Sequence, residues 1–476
     1  MRRTKIICTI GPASESPEKV KELLENGANV VRLNFSHGDY EEHKNRIELV
    51  KKFRREMQIP VAILLDTKGP EIRLGKFKDK VVVLKEGQSF ILTTKEILGD
   101  ENRVSISYGN ITQDVSIGSR ILLDDGLIEL NVDKIDGTEV YCKVINGGVI
   151  GDHKGVNLPG TSVSLPPVTD KDIRDIKFGI ENDIDYIAAS FVRSADDVRE
   201  IRRILGENGG EGIQIIAKIE NQQGVDNIED IIKVADGIMI ARGDLGVEIP
   251  TEDVPVVQKQ IIYKCVRACK PVIIATQMLD SMIRNPRPTR AEASDVANAI
   301  YDGADAIMLS GETAAGKYPV EALATMCRIA ERMEANLDYK KVFEMCNICD
   351  IDAKNTITSA ISHATNTIAD DLNASAIITP TQSGYTARMV SRYRPKYPII
   401  ATTTSECVYR KLALIWGVMP YMAPDTDNTD DMIDSAVEIA RKTDIIQDGD
   451  TVIITAGVPA GLSGTTNLIK VHMVGH

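Results

Sequence analysis

No run of about 18 uninterrupted apolar residues occurs in the 476-residue chain, so no membrane-spanning helix is expected. The order Met1-Arg2-Arg3 then Lys5-Ile6-Ile7 begins like a secretory signal, but the apolar run stops at Gly11-Pro12. Positive charge is also in short supply. With 56 Lys and Arg against 69 Asp and Glu, the formal net charge is −13 and the pI is near 5.2. That balance excludes a nucleic-acid-coating surface and a polybasic membrane patch, leaves room for a local basic pocket, and points to small-molecule partners. Cysteine pairing is equally sparse. The closest spacings among the eight cysteines are Cys346-x-x-Cys349 and Cys265-x-x-x-Cys269, with no second pair or nearby histidine to complete a zinc site. They read as free thiols in a reducing, cytoplasmic setting. The six histidines show no metal-ligating spacing, and no low-complexity tract or tandem repeat appears.

What is present is a βα rhythm. Lys5 to Gly11 reads as a strand, Ser16-Pro17 as the N-cap and first residue of a helix, Asn29 to Ser36 as a strand, Tyr40 to Met57 as a helix, and Val61 to Thr67 as a third strand. From about Pro70 to Pro166 the texture changes to short β-like runs, Val81 to Leu84, Ser89 to Leu92 and Ser119 to Leu123. These are broken by Glu86-Gly87, Asp125-Gly126 and Asp136-Gly137. This stretch is expected to be an inserted all-β domain hinged at Gly69-Pro70 and Leu165-Pro166-Pro167, serving either as a lid or as a structural insertion. After Thr169, an N-cap with Asp172 three residues on, strand-like segments recur at Tyr186 to Phe191, Gln214 to Glu220, Gly237 to Asp244, Pro271 to Gln277 and Ala306 to Glu312. Eight strands alternating with helices predict a (β/α)8 TIM barrel, the catalytic domain, over 1–69 and 166–340. The lid domain takes 70–165. A C-terminal open α/β domain is expected over 341–476, with a helix from Ser359 to Leu372 and parallel-type strands at Ala376 to Thr379, Ile399 to Thr402 and Thr451 to Thr455.

Polar residues gather where the barrel strands end. In Ile215 to Asn221, Lys218 and Glu220 lie two apart and so share a strand face, as a structural ion pair or as part of a site. Arg32, Asn34 and Ser36 alternate in the same way, Asp66 and Thr67 end the third strand, and Arg242 with Asp244 the sixth. Thr276 ends the seventh, and Ser310 with Glu312 the eighth. Six polar tips on one barrel mouth read as catalytic. Glu220 and Asp244, without histidine or cysteine beside them, are hard oxygen ligands suited to Mg²⁺ or Mn²⁺. Lys218 and Arg32 add cations, which completes the set that cancels charge on a transferring phosphoryl group. The Ala241 to Gly246 turn, a candidate helix start, exposes backbone N–H groups that suit a carboxylate or phosphate. Gly311 to Lys317 has the spacing of a P-loop, but Tyr318 replaces the hydroxyl residue that binds Mg²⁺, so it is set aside. His37 has no acid partner in sequence and reads as a capping or hydrogen-bonding group.

These stretches resemble the pyruvate kinase family along nearly the whole chain. The resemblance is carried by Val31 to Gly38, Leu65 to Arg73, Ile216 to Asn221, Ala241 to Gly246, Ala275 to Leu279, Pro288 to Glu292 and Leu309 to Thr313. It implies phosphoryl transfer from phosphoenolpyruvate to ADP, giving pyruvate and ATP. Lys218 would stabilise the moving phosphoryl group, and Glu220 and Asp244 would hold Mg²⁺. The backbone of Ala241, Arg242, Gly243 and Asp244 would hold the substrate carboxylate. Thr276 would lie where the enolate carbon is protonated, with Ser310 and Glu312 in the proton path. Arg32 and Arg73 would contact phosphoryl or nucleotide, with Asn34, His37 and Lys171 on the nucleotide side. Asn34, Ser36, Asp66 and Thr67 would hold K⁺, and Glu71 matches members that need that ion. Thr379, Thr381, Ser383, Gly384 and Thr386 are similar to the loop that grips a sugar-phosphate or nucleotide effector, although an ordinary strand-to-helix turn would read the same. The chain resembles the short bacterial form, lacking the N-terminal extension of animal members and an added phosphohistidine-like domain, and tetramers are usual in the family. A catalytically silent metabolite sensor and a Mg²⁺-dependent aldolase or lyase acting on pyruvate enolate are the competing readings.

Overall fold

The computed structural model describes residues 2–347, 356–426, 428–459 and 465–475. Cys349, and the stretch 348–355 that opens the third region, lie outside the described residues, as does the side chain of Cys346. Cys8, Cys142, Cys265, Cys327 and Cys407 are thiols outside any disulfide.

Eight strands close a parallel barrel: β1 (Lys5–Thr9), β2 (Val30–Asn34), β3 (Ala62–Asp66), β4 (Tyr186–Ala189), β5 (Gln214–Ile219), β6 (Gly237–Ala241), β7 (Val272–Ala275) and β8 (Ala306–Leu309). Each pairs with its neighbours in sequence, and β8 returns to β1 through Lys5 opposite Ala306. Alternation sorts the side chains. Ile6, Cys8, Val31, Leu33, Ile63 and Leu65 face the helical shell, while Ile7, Val30, Ala62, Leu64, Tyr186, Ala188, Ile216, Met239 and Met308 fill the interior. On β2 the inward column therefore runs Val30, Arg32, Asn34, and on β5 Ile216, Lys218, Glu220, apolar at the floor and charged at the mouth. The helices begin as their caps dictate. Ser16 accepts from Lys19 N, and Thr169, Ser194 and Thr289 each close a capping box with the acid three residues on.

The floor carries a fourfold pattern. The residue before each even strand accepts a hydrogen bond from the first free N–H of the preceding odd strand. Asn29 caps Ile6 at 3.0 Å, Asp185 caps Ile63 at 2.9 Å, Asp236 caps Ile215 at 2.9 Å and Asp305 caps Val272 at 3.0 Å. An arginine meets every cap: Arg2 at Asn29 (2.6 Å), Arg410 at Asp185 (2.7 Å), Arg202 at Asp236 (2.9 Å) and Arg394 at Asp305 (2.9 and 3.0 Å). Arg394 and Arg410 come from the third region, and Leu414 beside them packs into the barrel interior.

The strand at Ala62–Asp66 leads through Gly69 into sheets of its own, one of six strands and one of two. The sequence expectation names three of these strands. Ile128–Asp136 and Glu139–Asn146, the longest pair, escape it because Asp133, Lys134 and Lys143 stud their open face. The third region is a five-stranded sheet ordered Val418–Met422, Ile399–Thr403, Ala376–Pro380, Thr451–Ala456, Leu468–Met473. The two edge strands are additions to the three expected, and the last is antiparallel. Both edges are half-exposed, so they lack the continuous apolar run that marks a buried parallel strand.

Candidate functional site

The barrel mouth holds a buried charge network centred on Lys218. Its Nζ lies 3.0 Å from Asp66 Oδ1 and 3.0 Å from Glu220 Oε1, and donates to Ser190 Oγ at 2.7 Å. Arg32 donates through Nε to Asp66 Oδ2 at 2.6 Å and through Nη1 to Thr9 Oγ1 at 3.0 Å. All four charged groups are nearly inaccessible, Asp66 at 0% and Glu220 at 1% exposure. Burial alone would lower the Lys218 ammonium, but Asp66 and Glu220 outweigh it and hold the proton above the ordinary lysine range. Burial would raise Asp66, yet Lys218 and Arg32 keep it below the usual carboxylate range. Glu220 goes the other way, pushed up to about 7 by burial despite Lys218, with Asp244 adding repulsion.

Beside this network, β6 ends at Ala241 and the chain turns at once into a short helix, Arg242–Glu248. The sequence expectation that Arg242 and Asp244 continue the strand is corrected here. The Arg242 guanidinium turns away from the mouth to Asp295, 2.6 Å on both arms, and to Thr276 O at 3.0 Å. Asp244 stays within the cavity, its carboxyl raised by burial against the pull of Lys218. Likewise β7 and β8 stop short, at Ala275 and Leu309. Thr276 and Gln277 follow with φ of 68° and 54°, a left-handed conformation that costs a β-branched residue energy and marks a constrained site. Thr276 Oγ1 donates to Ala275 O at 2.6 Å and accepts from Gly243 N at 2.7 Å, which ties the seventh strand end to the start of the helix.

A cavity of about 610 Å³ opens above the network, lined by Arg32, Asn34, Ser36, His37, Glu71, Arg73, Ser190, Lys218, Glu220 and Asp244, whereas the wholly buried Asp66 is not in the lining. Not every expected residue joins it. Lys171 is held by Asp175 at 2.6 Å and Phe35 O at 2.8 Å, outside the lining. Thr67 sits beneath, receiving Ser190 N at 3.2 Å. Asn34 Oδ1 caps Ser36 N at 3.1 Å, and the His37 carbonyl accepts from His43 at 2.9 Å. Glu312 is buried and bonded to Leu279 N and Ser310 N, and among the described residues no hydrogen bond joins it or Ser310 to Thr276. Ser310 Oγ is buried without a partner. Far off, Thr379 Oγ1 is also buried and unpartnered, Gly384 has φ of 76°, and Thr386 Oγ1 shares a 2.9 Å bond with Thr466.

Ser190 is the site residue that the sequence reading missed. It follows β4 by one position and continues the inward column Tyr186, Ala188, so strand parity was the available signal.

A family model described as "Pyruvate kinase, barrel domain" matches residues 1–323, and "Pyruvate kinase, alpha/beta domain" matches residues 359–472. The chain belongs to the pyruvate kinase family. A pyruvate kinase of Clostridium acetobutylicum is 55% identical over 475 residues, covering 100% of both chains. That of Geobacillus stearothermophilus is 54% identical over 99% of this chain and 80% of its own length. A crystal structure of a pyruvate kinase from Cryptosporidium parvum superposes with a TM-score of 0.95 at 41% identity, covering 99% of this chain and 96% of the other. Membership in the pyruvate kinase family makes this protein a phosphotransferase on a TIM barrel with a C-terminal α/β domain. Among the described residues, no helix is long and apolar enough to cross a membrane.

Proposed function

We propose that the cluster around Lys218 transfers the phosphoryl group of phosphoenolpyruvate to ADP, giving pyruvate and ATP in glycolysis. The observation that supports it best is the uncompensated acid beside a fixed cation. Lys218 is shared between Asp66 and Glu220, which leaves Glu220 and Asp244 raised by burial and short of positive charge. Two hard carboxylates in that state suit Mg²⁺ or Mn²⁺. When bound, that ion supplies Lewis-acid charge to the phosphoryl and enolate oxygens.

The chain's own groups do the rest. The Lys218 ammonium, kept protonated and aimed by Ser190, stands where negative charge gathers on the group in transit. Arg32, clamped on Asp66, adds a second fixed cation. The N–H groups of Ala241 to Asp244 receive the substrate carboxylate, and Thr276, locked against Gly243, borders the carbon that is protonated. Glu312 and Ser310 would feed that proton. Arg73, His37, Asn34 and Lys171 form the nucleotide side, with Lys171 leaving Asp175 to reach it. Asn34, Ser36, Asp66 and Thr67 offer only oxygen donors, the kind K⁺ takes. The inserted sheets act as the lid. Thr379, Thr381, Ser383, Gly384 and Thr386 would receive the phosphate of a sugar-phosphate or nucleotide effector, and the functional unit would be a homotetramer.

A coupled assay of pyruvate formation from phosphoenolpyruvate and ADP with Mg²⁺ and K⁺ tests this reading. Turnover that needs all four components supports it. Pyruvate released from an aldol substrate, or no turnover at all, would favour the lyase or sensor alternative.

A further inference from the structure

A second cavity, about 490 Å³, separates the inserted sheets from the barrel beside Asp244 and is lined by Asp124, Asp125, Lys154, Asn157, Arg193 and Glu248, among others. One hydrogen bond crosses it to the helix Arg242–Glu248. At the hairpin tip Gly126 faces that helix, where an added Cβ would lie 3.7 Å from Val247 Cγ1. One strand away, Asn157 Nδ2 donates to Glu248 Oε1 at 2.7 Å. Among the described residues this is the one hydrogen bond made by the Glu248 side chain, in a setting where burial pushes its carboxyl up. Glu248 and Asp244 are one helical turn apart, so both project from the same side of the helix. Gly243, at the other end of that helix, is pinned by Thr276 at 2.7 Å.

The helix is seven residues long and is held at both ends. Its N-terminal end is fixed within the barrel, whereas its C-terminal end is held by a residue that belongs to the lid. We propose that Asn157 and Glu248 form the closing contact of the lid, and that Glu248 is a positioning residue that fixes the helix carrying Asp244 once the lid is down. The inference rests on the reading of Asp244 as a substrate and metal group. A hydrogen bond to a carboxylate that exists only in the closed arrangement shifts the open–closed equilibrium by its own strength, and the shift appears in substrate retention before it appears in chemistry.

The test is steady-state kinetics on the full chain with phosphoenolpyruvate, ADP, Mg²⁺ and K⁺. Asn157→Ala and Glu248→Ala should each raise the KM for phosphoenolpyruvate about tenfold while kcat stays within about twofold, and the double variant should be no worse than either alone. A merely misfolded fraction would lower kcat and leave KM alone. Asn157→Asp should be as poor as Asn157→Ala, because two carboxylates then face each other. Adding Glu248→Gln to it exchanges donor and acceptor and should return KM to within about threefold of the parent. An unchanged KM in Asn157→Ala, multiplicative losses in the double variant, or no recovery on exchange would each overturn the latch. An inactive parent protein would instead overturn the phosphotransfer reading beneath it.

Discussion

Ser190 Oγ accepts a 2.7 Å hydrogen bond from Lys218 Nζ and donates one of 2.6 Å to Thr67 O, so Lys218 is aimed by the end of the neighbouring strand. Lys218→Met should lower kcat by about 10² or more and change phosphoenolpyruvate binding little, since the charge acts in the transition state. Ser190→Ala keeps the charge but loosens its aim and should cost about tenfold in kcat. Steady-state assays decide, and an equal loss in binding and turnover for Lys218→Met would contradict its role.

Glu71 sits 2.6 Å from Arg73 and 3.7 Å from Lys68. If a monovalent cation completes this corner, Glu71→Lys replaces it by a tethered one and should relieve the need for added K⁺. Activity titrated against KCl reads the effect, and undiminished K⁺ activation would refute the assignment.

In the third region, Ser383 stands exposed on the loop that precedes Gly384, whereas Thr386 is buried against Thr466. Ser383→Ala should remove one phosphate donor and bring the ratio of sugar-phosphate-activated to unactivated turnover down to unity. A panel of phosphorylated sugars and nucleotides supplies the readout. Activation that survives the substitution would make the loop a structural turn.

Lys5 gives a pH dependence of stability. Buried at the start of β1 with its Nζ donating to Val418 O at 2.6 Å, it is lowered to about 7, first by burial and then by Arg2, with Glu334 opposing. A lysine lowered in the folded state binds its proton more readily when unfolded. Its contribution is therefore most favourable above the ordinary lysine range and is lost as pH falls toward 7. Between pH 7 and 10 the parent should gain on Lys5→Met by up to about 1.4 kcal/mol per pH unit. Urea unfolding of both proteins across that range measures it, and parallel pH profiles would show that Lys5 does not titrate there.

Much of the site was legible in the sequence because strand parity is rigid. Once Lys218 and Glu220 were placed on one strand, their shared face followed, and the 3.0 Å contact agrees with it. Parity failed where strands ended early. Arg242 and Asp244 obey a helical rather than a strand period, in keeping with the turn and helix start read at Ala241 to Gly246 and against the strand drawn to Asp244, and Arg242 left the mouth for Asp295. Ser190 carries no charge and escaped a reading that looked for charged tips. The capping of odd strands by Asn29, Asp185, Asp236 and Asp305 depends on partners 21 to 122 residues away in sequence, a range over which local pattern carries no information.

Those caps have a consequence for how the molecule can be taken apart. A barrel severed near residue 340 would keep Asp305 in its apolar floor with no guanidinium, and Asp185 with only Arg54 at 3.6 Å. Removing one partner of a buried pair costs roughly 3–5 kcal/mol, comparable to much of a domain's net stability. The void left by Leu414 would add to the loss. The third region is thus part of the barrel's foundation, and a barrel cut free of it is expected to lose stability unless those acids are first replaced.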